Sequence, residues 1–132
     1  MIEIQKKQFT YRGKTIEELQ KLNVREFANF VGSSQRRMIL RNFQKIEDFV
    51  NRSKKKLAKN KQIRTHYRDL IIVPEMVGWK ISIYNGRNFV PAQIIGEMLG
   101  HVFGEFSLTR QRIKHSKAGV GATKGSKHKS KK

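Results

Sequence analysis

Few residues in this chain carry the chemistry that catalysis needs. His101 and Glu105 stand four positions apart, a spacing that on a helix brings imidazole and carboxylate onto one face as an acid–base or metal-binding pair. His66 with Asp69 offers a similar pairing. One histidine and one carboxylate do not complete a metal site, and there is no HExxH motif. The chain holds no cysteine, so disulfide scaffolds, Cys-ligated zinc and thiol nucleophiles are excluded. Gly119-Val-Gly-Ala-Thr-Lys-Gly-Ser126 has the composition of a phosphate loop. It reads Lys-Gly-Ser where that loop needs Gly-Lys-Ser, and no strand pattern leads into it. The expectation is a protein with no enzymatic activity, no cofactor and no metal. The enzymatic alternative is a metal-dependent nuclease built on His101 and Glu105.

What the sequence has in excess is fixed positive charge: 29 Lys+Arg against 10 Asp+Glu, a net charge of +19 on 132 residues. Self-repulsion of that size destabilises a compact state unless a polyanion neutralises it. The charge is uneven. Residues 1–68 hold 18 basic and 6 acidic residues, net +12; residues 69–109 hold 2 and 4, net −2; residues 110–132 hold 9 basic and none acidic, net +9. Twelve of the N-terminal cations fall between Arg36 and Arg68. This layout predicts a basic helical region (1–68), a nearly neutral core (69–109) and a basic tail (110–132). The tail has few large apolar groups, so it is expected to be disordered when free. If roughly eight to ten cations met phosphates, affinity would fall by several decades over a modest rise in salt.

A membrane partner is not expected. The longest run of large apolar residues is Leu70-Ile71-Ile72-Val73, far short of the roughly 20 needed to span a bilayer. The glycine spacing at 96, 100 and 104 signals membrane dimerisation only inside such a span. The opening residues, MIEIQKKQFT, lack the apolar stretch of a signal peptide, so a cytoplasmic protein is expected.

The elements that must position the cations are legible in part. Thr15 and Glu18 fit a capping box, followed by Ile16, Leu19 and Leu22 at helical spacing; Asn23 and Glu26 repeat the signal, and Gly32 is the expected stop. A third helix capped by Ser33 or Ser34 would carry Ile39, Phe43, Ile46 and Val50 on one face and Arg36, Arg37, Arg41 and Lys45 on the other. Past Asn51 the run RSKKKLAKNKQIR predicts a frayed end or loop. Trp79, Ile81 and Ile83 alternate with Lys80, Ser82 and Tyr84, the period of a strand with one buried face. Asn85-Gly86 then predicts a primed two-residue turn with φ > 0 at both positions. Phe89-Val90 starts the return strand, and Pro91, which donates no hydrogen bond, marks it as an edge or as bulged there. Ile94 to Phe106 predicts a short helix or loose turns packed against the hairpin.

Ile71-Ile-Val-Pro-Glu-Met-Val-Gly78, Tyr84-Asn-Gly-Arg87, Val90 and Gly96-Glu-Met-Leu-Gly-His-Val-Phe-Gly-Glu-Phe-Ser-Leu-Thr109 together resemble the signature of the universal small-subunit ribosomal protein S-nineteen family. The flanks Tyr11-Arg-Gly-Lys-Thr-Ile-Glu-Glu-Leu19, Gln35-Arg-Arg37, Ile63-Arg-Thr-His-Tyr-Arg-Asp69 and Lys114-His115 with Gly119-Val-Gly-Ala-Thr123 resemble its archaeal and eukaryotic branch. The likeness spans roughly residues 9–126, with departures at Ser34, Asn42 and Trp79 and in the Lys-rich ending.

The expected fold is α+β, with N-terminal helices and a small three-stranded sheet that includes the 79–94 β-hairpin, flanked by basic extensions. The resemblance implies a structural protein of the small-subunit head that binds small-subunit rRNA beside ribosomal protein S-thirteen. Arg36, Arg37, Arg41, Arg64, His66 and Arg68 become candidate rRNA contacts, as do Asn85, Gly86, Arg87, His101, Thr109 and Arg110. The tail residues Arg112, Lys114, His115, Lys117, Lys124 and Lys127 would point toward the decoding region and the aminoacyl-site tRNA. No stable free homo-oligomer is expected. The alternative is a protein that compacts DNA or RNA without a defined site.

Overall fold

The computed structural model describes residues 8–112. The expectations for Lys114, His115, Lys117, Lys124, Lys127 and the rest of the tail lie outside the described residues. Strands β1 (Thr10–Tyr11) and β2 (Lys14–Thr15) pair antiparallel across Arg12-Gly13, whose φ values of 48° and 80° make the tight primed turn. Nothing in the hydrophobic pattern announces this hairpin. Helix α1 (Ile16–Gln20) starts at the expected capping box: Thr15 Oγ1 accepts from Glu18 N at 3.4 Å, and Glu18 Oε2 accepts from Thr15 N at 3.2 Å. Helix α2 (Val24–Phe27) follows, with the Asn23 amide donating to Glu26 Oε2 at 2.9 Å, and a 3₁₀ turn spans Ala28–Phe30.

The single third helix expected from the sequence is two, α3 (Ser33–Arg41) and α4 (Phe43–Ala58). The residue capping α3 is Gly32, and Ser33 is already helical. Asn42 leaves helical geometry, with φ −102° and ψ 16°, and its side chain makes no capping hydrogen bond. The chain turns there without losing a hydrogen bond, because Asn42 N donates to Met38 O and Asn42 O accepts from Ile46 N, both at 3.0 Å. The lysine-rich run expected to fray is helical to Ala58. Ser53, 2% exposed, extends the buried stripe of Ile46, Phe49 and Val50, so one face of the run is held by the core while its lysines face water. Asn60, with φ 51°, ends the helix in a Schellman arrangement: Asn60 N donates to Leu57 O and Lys61 N to Lys56 O, each at 2.9 Å.

Strand β3 (Ile63–Thr65) then runs parallel to β4 (Lys80–Tyr84), which pairs antiparallel with β5 (Phe89–Gln93), giving the order β3-β4-β5. The fold is therefore α+β with a three-stranded sheet, and Pro91 sits on the edge strand β5 opposite Ser82, as expected. The turn between β4 and β5 differs from the expected primed pair. It covers Asn85 to Asn88, and only Gly86 has positive φ, at 96°. Asn85 Oδ1 accepts from the amides of Arg87 at 2.9 Å and Asn88 at 2.7 Å, so a side chain replaces part of the backbone turn and one left-handed residue suffices.

Residues 94–106 form loose turns, with 3₁₀ segments at Gly96–Met98 and Phe103–Phe106. They lie along the extended Leu70–Val73 segment: Ile72 N donates to His101 O at 2.9 Å, Gly100 N to Ile72 O at 3.2 Å and Phe103 N to Leu70 O at 3.1 Å. Leu19, Phe27, Ile39, Ile46, Ile63, Ile72, Ile83 and Phe103 are all 0–1% exposed and belong to one apolar cluster. That cluster draws on both sides of position 68. Among the described residues, no helix is long and apolar enough to cross a membrane.

Gly100 is where the β1–β2 hairpin, the turn after α2 and the 70–73 segment meet. Its φ is 81°, and an added Cβ would stand 3.1 Å from Tyr11 Oη and 3.4 Å from Val31 Cγ1. Gly100→Ala is expected to lower stability by about 1–3 kcal/mol, read as an earlier midpoint in urea unfolding.

Candidate nucleic-acid interface

The cations of α3 do different work. The Arg36 guanidinium reaches back, its Nε donating to Ala28 O at 3.0 Å and Nη2 to Asn29 O at 3.1 Å, which ties α3 to the preceding 3₁₀ turn. Arg37 and Arg41 are exposed on the same helix. Along α4, Lys45, Arg52, Lys55 and Lys56 are exposed, and Lys54 pairs with Glu75. Lys55 and Lys56 occupy the last turn, where the helix dipole favours a cation.

Arg68 is the most committed of the predicted contacts. Its Nη1 donates to Tyr84 O at 2.7 Å, and its Nη2 donates to Gly104 O at 2.9 Å and Ser107 O at 2.6 Å. One guanidinium thus holds the end of β4 against the chain that runs on to Arg110. Buried Ser107 adds a bond from Oγ to Ile83 O at 3.3 Å. The consequence is spatial: Asn85 of the hairpin loop and Arg110 and Arg112 line one depression of about 850 Å³, floored by Val90 and Phe106. Gly86, Arg87, Thr109 and Arg110 are exposed at this end of the sheet, and a Cβ built on Gly86 meets nothing within 4 Å. The Tyr84 hydroxyl donates to Gly86 O at 3.0 Å and steadies the loop from below.

Arg64 on β3 and His66 just past its end are exposed. The His66 ring packs on Tyr84 at 4.6 Å and on Phe89 at 5.1 Å between centroids, and Arg64 lies over Phe89 at 5.5 Å. Tyr84 and Phe89 are absent from the sequence-derived candidates. Only the hairpin register, which sets them opposite each other, shows that two residues from different strands join His66.

His101 and Glu105 do meet, although across a 3₁₀ turn and not an α-helix: Nδ1 stands 2.6 Å from Oε2, with both side chains about half exposed (52% and 49%). Among the described residues no group of three or more His, Cys, Asp or Glu side chains gathers around this pair or elsewhere. The pair is exposed and not a buried acid–base couple. What the described surface offers is guanidinium and ammonium groups, aromatic faces and open backbone, the set that engages phosphate and bases.

Residues 33–115 match the family model described as Ribosomal protein S19. Over 122 residues the chain is 43% identical to the small ribosomal subunit protein uS19 of the archaeon Methanococcoides burtonii, covering 92% of this chain and 88% of that protein.

The geometry separates strut from contact. Arg68→Lys cannot serve three carbonyls with one planar fork, and is expected to lower stability by about 2–4 kcal/mol in urea unfolding. Arg37→Ala and Arg41→Ala are each expected to reduce the salt slope of RNA binding by about one with unchanged unfolding midpoints. Arg36→Ala, by contrast, is expected to lower the midpoint as well, because two carbonyls lose their donor.

Proposed function

This chain belongs to the ribosomal protein S19 family, and from that membership we propose that it is a structural, non-enzymatic constituent of the small ribosomal subunit head, held there by small-subunit rRNA. The observation that carries the reading is the convergence of the Asn85–Arg87 loop with Arg110 and Arg112 at one end of the molecule. That end is built from the segment whose residues match the family signature. A loop with an exposed glycine backbone beside two arginines suits the irregular groove of a folded RNA, where amide and guanidinium donors reach phosphate oxygens together.

Electrostatics favours the same partner. A charge of +19 with only 10 carboxylates leaves most cations without an acidic neighbour in the chain, and a polyphosphate supplies what is missing. Arg37, Arg41, Arg64, His66, Arg87, His101, Thr109 and Arg110 are the proposed rRNA contacts on exposed surface, with Asn85 shaping the hairpin loop, Arg68 holding the strand end below it and Arg36 tying α3 to the preceding turn. The segment after Arg112 continues the basic run, and in this reading it extends toward the decoding region and the aminoacyl-site tRNA. Ribosomal protein S-thirteen is the proposed protein neighbour. The cytoplasm, where ribosomes work, is the proposed compartment.

The tagged full-length chain is expected to sediment with small subunits in a gradient at physiological salt and to stay with them through a wash that strips loosely bound cations. Recovery at the top of the gradient would overturn the assignment. In a direct binding measurement, the head-domain rRNA is expected to win over random duplex DNA; equal affinity would instead indicate a protein that compacts nucleic acid without a defined site.

A further inference from the structure

We propose that the open face of the three-stranded sheet, around Arg64 and Phe89, is a stacking site for an unpaired RNA base. The inference rests on the rRNA reading above and assigns one surface of it a specific kind of ligand: single-stranded nucleotides, not duplex.

The pleat sorts the strands cleanly. Ile63, Thr65, Ile81 and Ile83 are buried on the core side, so Arg64, Lys80, Ser82 and Tyr84 stand on the other face. β5 sets Phe89 opposite Tyr84 and Pro91 opposite Ser82 on that same face. Solvent-facing sheet positions ordinarily take polar residues, yet here two rings and a proline adjoin one another. Tyr84 and Phe89 are 5.2 Å apart between centroids and tilted by 52°, with His66 against both. Phe89 is only partly buried.

Two grooves share Arg64 as a wall. One, of about 500 Å³, crosses the open sheet face and is lined by Leu57, Lys61, Lys80, Phe89 and Pro91. The other, of about 300 Å³, lies between α4 and β3 and is lined by Arg52, Lys56, His66 and Tyr67. No carboxylate lines either groove among the described residues. The guanidinium plane between them already lies over an aromatic ring, and a planar cation of this kind stacks on a base while its edge donates to phosphate. Lys61 and Lys80 on one side, and Arg52 and Lys56 on the other, track the path a nucleotide backbone would follow past an inserted base.

Stacking is what selects the ligand. An acidic peptide would use the cations and leave the rings idle. A duplex hides its base faces inside the helix and presents only phosphates, 2′-hydroxyls and base edges, none of which stacks on a ring. Every unpaired base has a π-face, so a ring-and-arginine surface flanked by cations takes single strands with little regard to sequence.

The test uses the full-length chain and a short unpaired RNA carrying 2-aminopurine, titrated beside a duplex RNA of equal length. Stacking is expected to quench the 2-aminopurine fluorescence on binding. Arg64→Lys keeps the charge and removes the plane, and is expected to lower the single-strand to duplex affinity ratio roughly tenfold. Phe89→Leu keeps apolar bulk and removes the ring, with a shift in the same direction expected. Circular dichroism reports whether Phe89→Leu folds; Arg64 is exposed on an edge strand, so Arg64→Lys decides the matter if Phe89→Leu does not. Absence of quenching with the parent chain, or an unchanged ratio for Arg64→Lys, overturns the stacking site. Titration of head-domain rRNA against random duplex DNA in the same assay separates the two readings. Preference for the rRNA without quenching sinks the stacking site alone, and equal affinity for rRNA and DNA sinks the parent reading, whatever the fluorescence reports.

Discussion

The arrangement of this surface depends on one guanidinium. Arg68 binds the backbone carbonyls of Tyr84, Gly104 and Ser107, three points separated by up to 39 positions from it in the chain. Each is a place where the backbone leaves regular structure and has an acceptor to spare: the end of β4, the middle of a 3₁₀ turn and the residue after it. Buried carbonyls without donors cost about as much as a lost hydrogen bond, so an arginine that serves three at once joins elements which no ladder connects. The result is that the hairpin loop and the Leu108–Arg112 segment share one end of the molecule.

The acceptor chosen for that arginine matters electrostatically. A carboxylate would have held Arg68 as well, but it would have cancelled a charge next to the proposed RNA contacts. Carbonyl oxygens hold a cation and leave its charge uncancelled. The same economy recurs across the described residues. Arg36 binds two carbonyls, Arg25 lies over Phe43 at 4.2 Å, Lys14 over Phe30 at 5.0 Å and Arg64 over Phe89 at 5.5 Å. Among the described residues the one lysine or arginine paired with a carboxylate is Lys54, with Glu75. Cations positioned by dipoles and ring faces are ordered in place and still unneutralised, which is the state in which counterion release on binding phosphate is greatest.

How much of this the sequence discloses follows from the range of each interaction. Capping boxes, the alternation of β4 and the edge role of Pro91 are local chemistry, and the Thr15, Asn23 and Pro91 signals land where they should. The failures are also local, but they turn on competition. At Asn42 the α3–α4 face looks continuous by period, yet the chain turns there with its backbone bonds intact. Beyond Asn51 the charge density suggests fraying, and Ser53, an unremarkable polar residue in a lysine run, carries the buried stripe onward. At Asn85 the dipeptide is the right signal for a turn, but the asparagine side chain takes two amides itself and the loop lengthens. The candidate site is less legible than the fold. The family resemblance names Arg36, Arg37, Arg64 and Arg68 together, while only geometry separates the two that hold backbone carbonyls from the two that do not. Phe89 and Tyr84 become neighbours of His66 only through strand register.

The charge layout can then be tied to the fold. The near-neutral 69–109 stretch contributes Leu70, Ile71, Ile72, Val73, Ile81, Ile83 and Phe103 to the buried cluster. Burying a lysine or arginine costs too much to place many in a core, so a chain with 29 of them must concentrate its apolar residues somewhere. Placing them in one stretch does more than exclude charge. It lets α4 and β3, from the basic half, lay one apolar face each on that stretch through Phe49, Val50 and Ile63 and turn their cations outward. Phe49 meets Phe103 edge-on at 5.4 Å, so packing fixes the lysine-bearing helix to the neutral segment beside the Lys54–Glu75 pair. Repulsion among the outward cations then works against the compact state while packing and the Arg68 and Arg36 bridges work for it. An anion that neutralises the outer face relieves the repulsion without disturbing the packing, so binding and folding stabilise the same arrangement.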